Sequence, residues 1–260
     1  MIFFILTVTF ILIHHLFYWK VPRSKKYNLN KPEYFAHRGL KTNYPENSIK
    51  AFIDAQINQY SWIELDVIAS KDGQLFCSHN YDLERETNGR GYLNELNSNS
   101  IKLLNTGCYT HKNKEQPLPL LEDVFSSIPE SIGINIEIKA PLIFDFTTAR
   151  ALGKSLRNRP RYRAIISSFN PFVIIYFKLF HPSIVTAFLF QNLEYFWMIN
   201  IFHPSYIHPR ADLLNYKMLS VARKHNVGVN VWTVNNEPAI KWCLNNGVDG
   251  IITDLEVKNG

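Results

Sequence analysis

Two hydrophobic patterns divide the chain. Residues 1–19, MIFFILTVTFILIHHLFYW, carry no Lys, Arg, Asp or Glu. From residue 32 onward, short β-like apolar runs alternate with longer stretches whose apolar residues recur at helical spacing. The expected strands are 34–38, 62–68, 134–138, 163–168, 184–190, 206–208, 228–234 and 250–253. Between them, helices are expected at 47–59, 119–128, 144–158, 171–180, 192–202, 212–225 and 236–246. The last begins on Asn236, Glu237 and Pro238 and stops at Gly247, which suits a helix start and a left-handed stop. A further run, 75–79, is expected to pair beside the second strand. The long Asn-, Gly- and Ser-rich connection 80–118 reads as an insertion over one face. Eight strands alternating with helices predict a (β/α)8 TIM barrel with a small insertion after the second strand.

The amino-terminal run predicts a transmembrane anchor over 1–19, because nineteen helical residues reach about 28 Å. Phe17, Tyr18 and Trp19 resemble an interfacial aromatic belt. A cleaved signal peptide is the rival, but the start lacks basic residues and no Ala-x-Ala pattern follows. The expected organisation is an anchor at 1–19, a basic linker at 20–31 and a barrel at 32–260. Phe169 to Tyr206 holds twelve aromatics, which either pack on the barrel or face a membrane.

Charge sharpens this division. The formal net charge is +6, yet Lys20, Arg23, Lys25, Lys26 and Lys31 all precede the first acidic residue, Glu33. Residues 32–260 hold 23 basic and 22 acidic side chains, so the barrel is almost neutral. No basic face supports a nucleic-acid partner. The cluster beside the apolar run instead suits a membrane lipid surface, and it favours a cytoplasmic barrel, with export as the alternative. Three scattered cysteines exclude a disulfide scaffold.

Polar side chains interrupt the strands where apolar ones are expected. His37 and Arg38 end the first strand, and His79 ends the additional run. Glu64 with Asp66 and Glu137 with Lys139 each share one side of a strand at i, i+2 spacing. Barrel residues at carboxyl strand ends converge on one site. Three converging carboxylates require a cation or a proton, and hard oxygen ligands suit Mg2+ or Ca2+. Two histidines can move protons near neutral pH, and Arg38 offers a fork for phosphate. Taken singly, each has a structural alternative: a hydrogen-bonding histidine, a solvated acidic edge, an ion pair.

HRG at 37–39, PENS at 45–48, ELDV at 64–67, KDG at 71–73, His79, IEIK at 136–139, VWTVN at 231–235 and GVDGIITD at 247–254 occur in this order. The sequence resembles the glycerophosphodiester phosphodiesterase family over about residues 34–254. The resemblance implies metal-dependent hydrolysis of glycerophosphodiesters to glycerol 3-phosphate and an alcohol. It implies one divalent cation on Glu64, Asp66 and Glu137, and catalysis by His37 and His79. Arg38 and Lys139 would bind phosphate and Trp232 would line the substrate pocket. One departure stands out: the family usually has His–Asp where this chain has His79–Asn80, which keeps an oxygen acceptor and loses the charge. Three alternatives are a lysophospholipase D-like enzyme acting on membrane lysophospholipids, a cyclising phosphodiesterase resembling phosphatidylinositol-specific phospholipase C, and a catalytically silent lipid-binding protein. The ExD and ExK pairs fit the second of these less well. Of the two histidines, His37 is expected as base and His79 as acid, an order the sequence alone leaves open.

Overall fold

A computed structural model describes residues 1–27, 32–159 and 162–256. Within them, eight parallel strands close on themselves: β1 (Glu33–His37), β2 (Trp62–Ala69), β6 (Gly133–Ile138), β7 (Ala164–Ser168), β8 (Val185–Phe190), β9 (Tyr206–Pro209), β10 (Gly228–Val231) and β11 (Gly250–Thr253). The ring closes because β1 pairs in parallel with both β2 and β11. β3 (Leu75–Cys77) lies antiparallel on β2, and the insertion adds the small pair β4 (Asn105–Thr106) and β5 (Gln116–Pro117). The helices are α1 (Ile2–Phe17), α2 (Ile49–Ile57), α3 (Ser98–Ile101), α4 (Leu121–Ser127), α5 (Thr147–Arg157), α6 (Pro171–Phe180), α7 (Ile199–Phe202), α8 (Tyr216–His225) and α9 (Glu237–Asn246). The barrel expectation therefore holds.

Strand alternation explains how one run serves two surfaces. In β2, Ile63, Leu65 and Val67 belong to the outer core with Phe52 and Ala55 of α2, Leu121 and Val124 of α4, and Leu152 of α5. The intervening Trp62, Glu64 and Asp66 lie on the opposite face, towards the barrel interior. The lower interior is apolar: Phe35, Trp62, Ile165, Val185, Ala187, Tyr206 and Ile252 form one buried cluster. Two glycines make room for its largest rings. A Cβ on Gly133 would stand 2.3 Å from the Trp62 ring, and one on Gly228 would stand 2.2 Å from Tyr206.

The expected transmembrane helix is corrected. α1 has 16 residues, about 24 Å of helix, against a hydrocarbon core of about 30 Å. No helix among the described residues is long and apolar enough to cross a membrane. The shortening has a packing cause. Trp19 is drawn into the barrel instead of lying at an interface. It stacks between His203 and His225, with ring centroids at 4.2 and 4.3 Å, and its Nε1 donates to Asn200 Oδ1 at 3.1 Å. Val21 is also buried, and its N–H donates to the His225 carbonyl.

Of the basic linker expected at 20–31, residues 20–27 are described, and several of them contact the barrel. Lys25 donates to the Pro182 carbonyl, Lys26 pairs with Asp249 at 3.6 Å, and Tyr27 meets Trp62 edge-on at the barrel floor. Tyr27 also donates through its N–H to Tyr206 Oη and through its hydroxyl to the Ala164 carbonyl. Lys20 and Arg23 stay exposed, while Lys31 lies outside the described residues. Two further expectations shift. The helix expected at 192–202 is a 3-10 turn over Leu193–Met198 followed by α7, and the strand expected at 228–234 ends at Val231.

If Trp19 is a core residue, Trp19→Ala should lower stability by about 3 kcal/mol in a urea melt. Tyr18→Ala, at an exposed position, should change it by less than about 0.5 kcal/mol.

Candidate active site

The carboxyl ends of β1, β2 and β6 bring together the residues that the sequence singled out. Glu64, Asp66 and Glu137 are buried and offer oxygens that all lie within 4.8 Å of one another. Asp66 and Glu137 are register partners across β2 and β6, and Glu64 partners His37 across β1 and β2. Burial and the neighbouring carboxylates push Glu64 well above the usual carboxylate range. Burial also pushes Asp66 up, but Lys139 and Arg38 more than offset it and hold it low. Lys139 reaches Asp66 Oδ1 at 2.9 Å and also bonds Glu137. This crowding of buried hard oxygen donors fits a divalent cation, which would relieve the repulsion that now falls on Lys139, Arg38 and a raised Glu64.

Arg38 is held from several directions. It follows β1 in a left-handed backbone conformation, with φ at 58°, and its N–H donates to Glu64 Oε2 at 3.0 Å. Nη1 donates to Glu46 Oε1 at 2.7 Å, and Nε lies 3.2 Å from Asp66 Oδ2. Among the described residues, Nη2 makes no protein hydrogen bond, so part of the fork is left for an anion. The loop 45–48 does two structural jobs. Asn47 clamps Asp66 by donating to Oδ2 and accepting from its N–H, while Ser48 caps α2.

The two histidines have different surroundings. His37 Nδ1 lies 2.7 Å from Asp254 Oδ1, and Asp254 is further held by Lys41 and Asn235. His79 is pushed down to about 4, chiefly by burial. Asn80 does not replace a missing charge beside it. Its Nδ2 donates to Glu86 Oε1 at 2.6 Å, and Glu86 is hydrogen-bonded to Glu46. Burial and Glu46 raise Glu86 to about 7. Glu46, His79 and Glu86 could also hold a metal by distance, although Glu46 is already paired with Arg38 and Lys41. Trp232 stands just past β10. Its Nε1 donates to the His208 carbonyl at 2.7 Å, and Phe169 meets its ring edge-on at 5.5 Å.

Known proteins share both sequence and architecture with this chain. Residues 37–255 match the model of the glycerophosphoryl diester phosphodiesterase family. The chain belongs to this family. A glycerophosphodiester phosphodiesterase of Caldanaerobacter subterraneus is 33% identical over 224 residues, covering 84% of this chain and 92% of that protein. One from Bacillus altitudinis is 31% identical, covering 85% and 94%. Among solved structures, an Oleispira antarctica phosphodiesterase in complex with sn-glycerol-3-phosphate superposes with a TM-score of 0.80 at 24% identity, covering 86% of this chain and 93% of that one. The chain is thus an enzyme that hydrolyses glycerophosphodiesters.

All eight side chains expected to form the site lie at this end of the barrel. The expectations omitted four others that hold them: Asn47 on Asp66, Glu46 on Arg38, Asp254 on His37, and Glu86 on Asn80. Glu46, Asn47 and Asp254 sit inside the family motifs, so a signal was present without a role. Glu86 lies in the insertion, where no spacing relates it to Glu46.

The Asn80–Glu86 contact gives a direct test. Asn80→Asp would set a second carboxylate against Glu86 and should cost about 1–2 kcal/mol of stability at pH 8. Adding Glu86→Gln should recover most of it. Urea melts of the two single variants and the double variant measure the coupling.

Proposed function

We propose that hydrolysis depends on one divalent cation, Mg2+ or Ca2+, held by Glu64, Asp66 and Glu137. When bound, the cation would neutralise phosphoryl charge as a Lewis acid. The chain's own groups do the rest. The free side of Arg38 and the Lys139 ammonium bind the other phosphoryl oxygens and stabilise the charge that grows there. A cavity of about 570 Å3 beside Arg38, Glu46 and Glu86 gives room for a small substituent of the phosphodiester. Trp232 lines the opposite, more apolar approach.

The proton steps divide between the histidines. Burial keeps His79 neutral at pH 7, so it accepts the proton of the nucleophile, which is water or a glycerol hydroxyl. The Asp254 carboxylate holds the His37 ring through Nδ1, and His37 donates the proton to the leaving alcohol. This reverses the order expected from the sequence. The Asp254–His37 contact is the observation that carries it.

Leaving-group dependence tests the assignment. With glycerophosphocholine, His37→Ala and His79→Ala should each lower kcat by about 10²–10⁴-fold. With glycerophospho-p-nitrophenol, whose leaving group needs no proton, His37→Ala should recover most of its loss and His79→Ala should not. Chelation should abolish turnover of both substrates, with recovery on adding Mg2+ or Ca2+. Equal losses for the two variants on both substrates would sink the division of roles.

A second reading, lysophospholipase D-like hydrolysis, is supported by the aromatic approach formed by Phe169 and Trp232. It fits attachment to a membrane lipid surface. Along α1, Phe3, Phe4, Ile5, Leu6, Val8, Phe10, Ile11, Leu12 and Ile13 are exposed, and Lys20 and Arg23 follow as exposed cations. Such cations favour the anionic cytoplasmic leaflet.

A further inference from the structure

We propose that one outer side of the barrel, formed by α6, the 193–202 segment and the loop after β6, is a bilayer-docking face that holds the catalytic mouth at the lipid surface. It rests on the membrane attachment proposed above and adds to it: α1 is one part of the contact, and the barrel wall and rim are the other.

Exposed apolar side chains elsewhere, such as Ile57, Leu103 and Tyr216, belong to separate elements. On this side they accumulate. Leu142 and Phe144 are 72% and 68% exposed on the loop after β6, and Leu193 and Trp197 are 51% and 59% exposed on the turn after β8. Both connections leave the carboxyl ends of strands, so they border the catalytic mouth. Phe180, at the far end of α6, carries the surface down the wall at 65% exposure. Phe144 meets Phe172 at the start of α6 at a tilt of 59°, with centroids 5.0 Å apart, which joins rim to wall. α6 and α1 both contact α7.

Charge is sparse on this side: Asp145 follows Phe144 on the loop after β6, and Glu194 is exposed beside Leu193. From 171 to 209 the only Lys, Arg, Asp or Glu residues are Lys178 and Glu194. Lys178, itself exposed, donates to the Phe202 and His203 carbonyls at 2.6 and 2.9 Å, which ties its charge to the protein.

The occupant follows from α1. α1 is too short to span, but it exposes Phe3, Phe4, Leu6, Phe10 and Ile11, a surface that suits lying in the interfacial region of a bilayer. His15 and His203 tie the end of α1 to the 193–202 segment: His15 Nε2 meets the Ile201 carbonyl at 3.2 Å, and His203 Nε2 meets the His15 carbonyl at 3.0 Å. Lipid that receives α1 therefore meets this wall as well. Lys20 and Arg23, exposed where α1 ends, match phosphate headgroups. The mouth then opens where a lysophospholipid presents its phosphodiester, with the acyl chain left in lipid beside Leu142 and Phe144.

The test uses the full chain and vesicles of phosphatidylcholine mixed with phosphatidylglycerol. Leu193→Ser/Trp197→Ser should lower vesicle-bound protein by about tenfold in sedimentation. It should lower hydrolysis of vesicle-embedded lysophosphatidylcholine in parallel and leave turnover of soluble glycerophosphocholine unchanged. Ile57→Ser, on another side, should change none of these. Brominated phosphatidylcholine should quench wild-type fluorescence, and the milder Trp197→Phe should remove part of that quenching. Vesicle binding by the double variant equal to wild type, or quenching unaltered in Trp197→Phe, would overturn the proposal. So would a wild-type dimer in light scattering that the double variant converts to monomer, which would make the face a contact between two copies. Loss of glycerophosphocholine turnover in the wild type would count against the catalytic reading alone, because vesicle binding is read separately.

Discussion

Three carboxylates buried within 4.8 Å of one another dominate the physics of this enzyme. Left alone, Glu64, Asp66 and Glu137 would repel, and burial makes that repulsion stronger. The surrounding residues answer it. Lys139 reaches both Asp66 and Glu137, Arg38 approaches Asp66 and Glu64, and Asn47 fixes Asp66 by two hydrogen bonds. The same field that suits a divalent cation also holds the Arg38 fork in place for a phosphate. In the proposed reading, substrate binding and charge neutralisation are thus one arrangement.

That arrangement needs a rigid support, and the barrel supplies it from below. The floor is an apolar layer around Trp62 and Tyr206, with Tyr27 packed against it. The chain reaches Tyr27 through Trp19 and Val21, which are buried against α8 and the 193–202 segment. The described part of the basic linker is therefore packed on the barrel. Its aromatic and aliphatic positions pack, and its lysines are used against a carbonyl and a carboxylate.

A second layer of acids stands behind the first. Glu46 links Arg38 to Glu86, and Glu86 accepts from Asn80. Here Asn80 suits its neighbour better than an aspartate would, since a donor meets a carboxylate that is already crowded. The departure at Asn80 is matched by a contact across the insertion and is compatible with an active site. Asp254 plays the corresponding part for His37 from the last strand.

The sequence by itself determined the order of strands and helices, because period-2 and helical patterns follow from backbone geometry. It also determined the polar residues at the strand ends. Glu64, Asp66, Glu137 and Lys139 were legible because i, i+2 spacing puts them on one face of a strand. Tertiary structure decided what spacing cannot encode. Asp254 meets His37 across 217 positions of sequence, and Trp19 stacks on His225 from the other end of the chain. The length of α1 was decided in the same way. Hydropathy ran through residue 19, but the packing of Trp19 between two histidines pulled the end of the run into the barrel. A local apolar pattern shows that a side chain avoids water, and only the folded chain decides which apolar surface it joins.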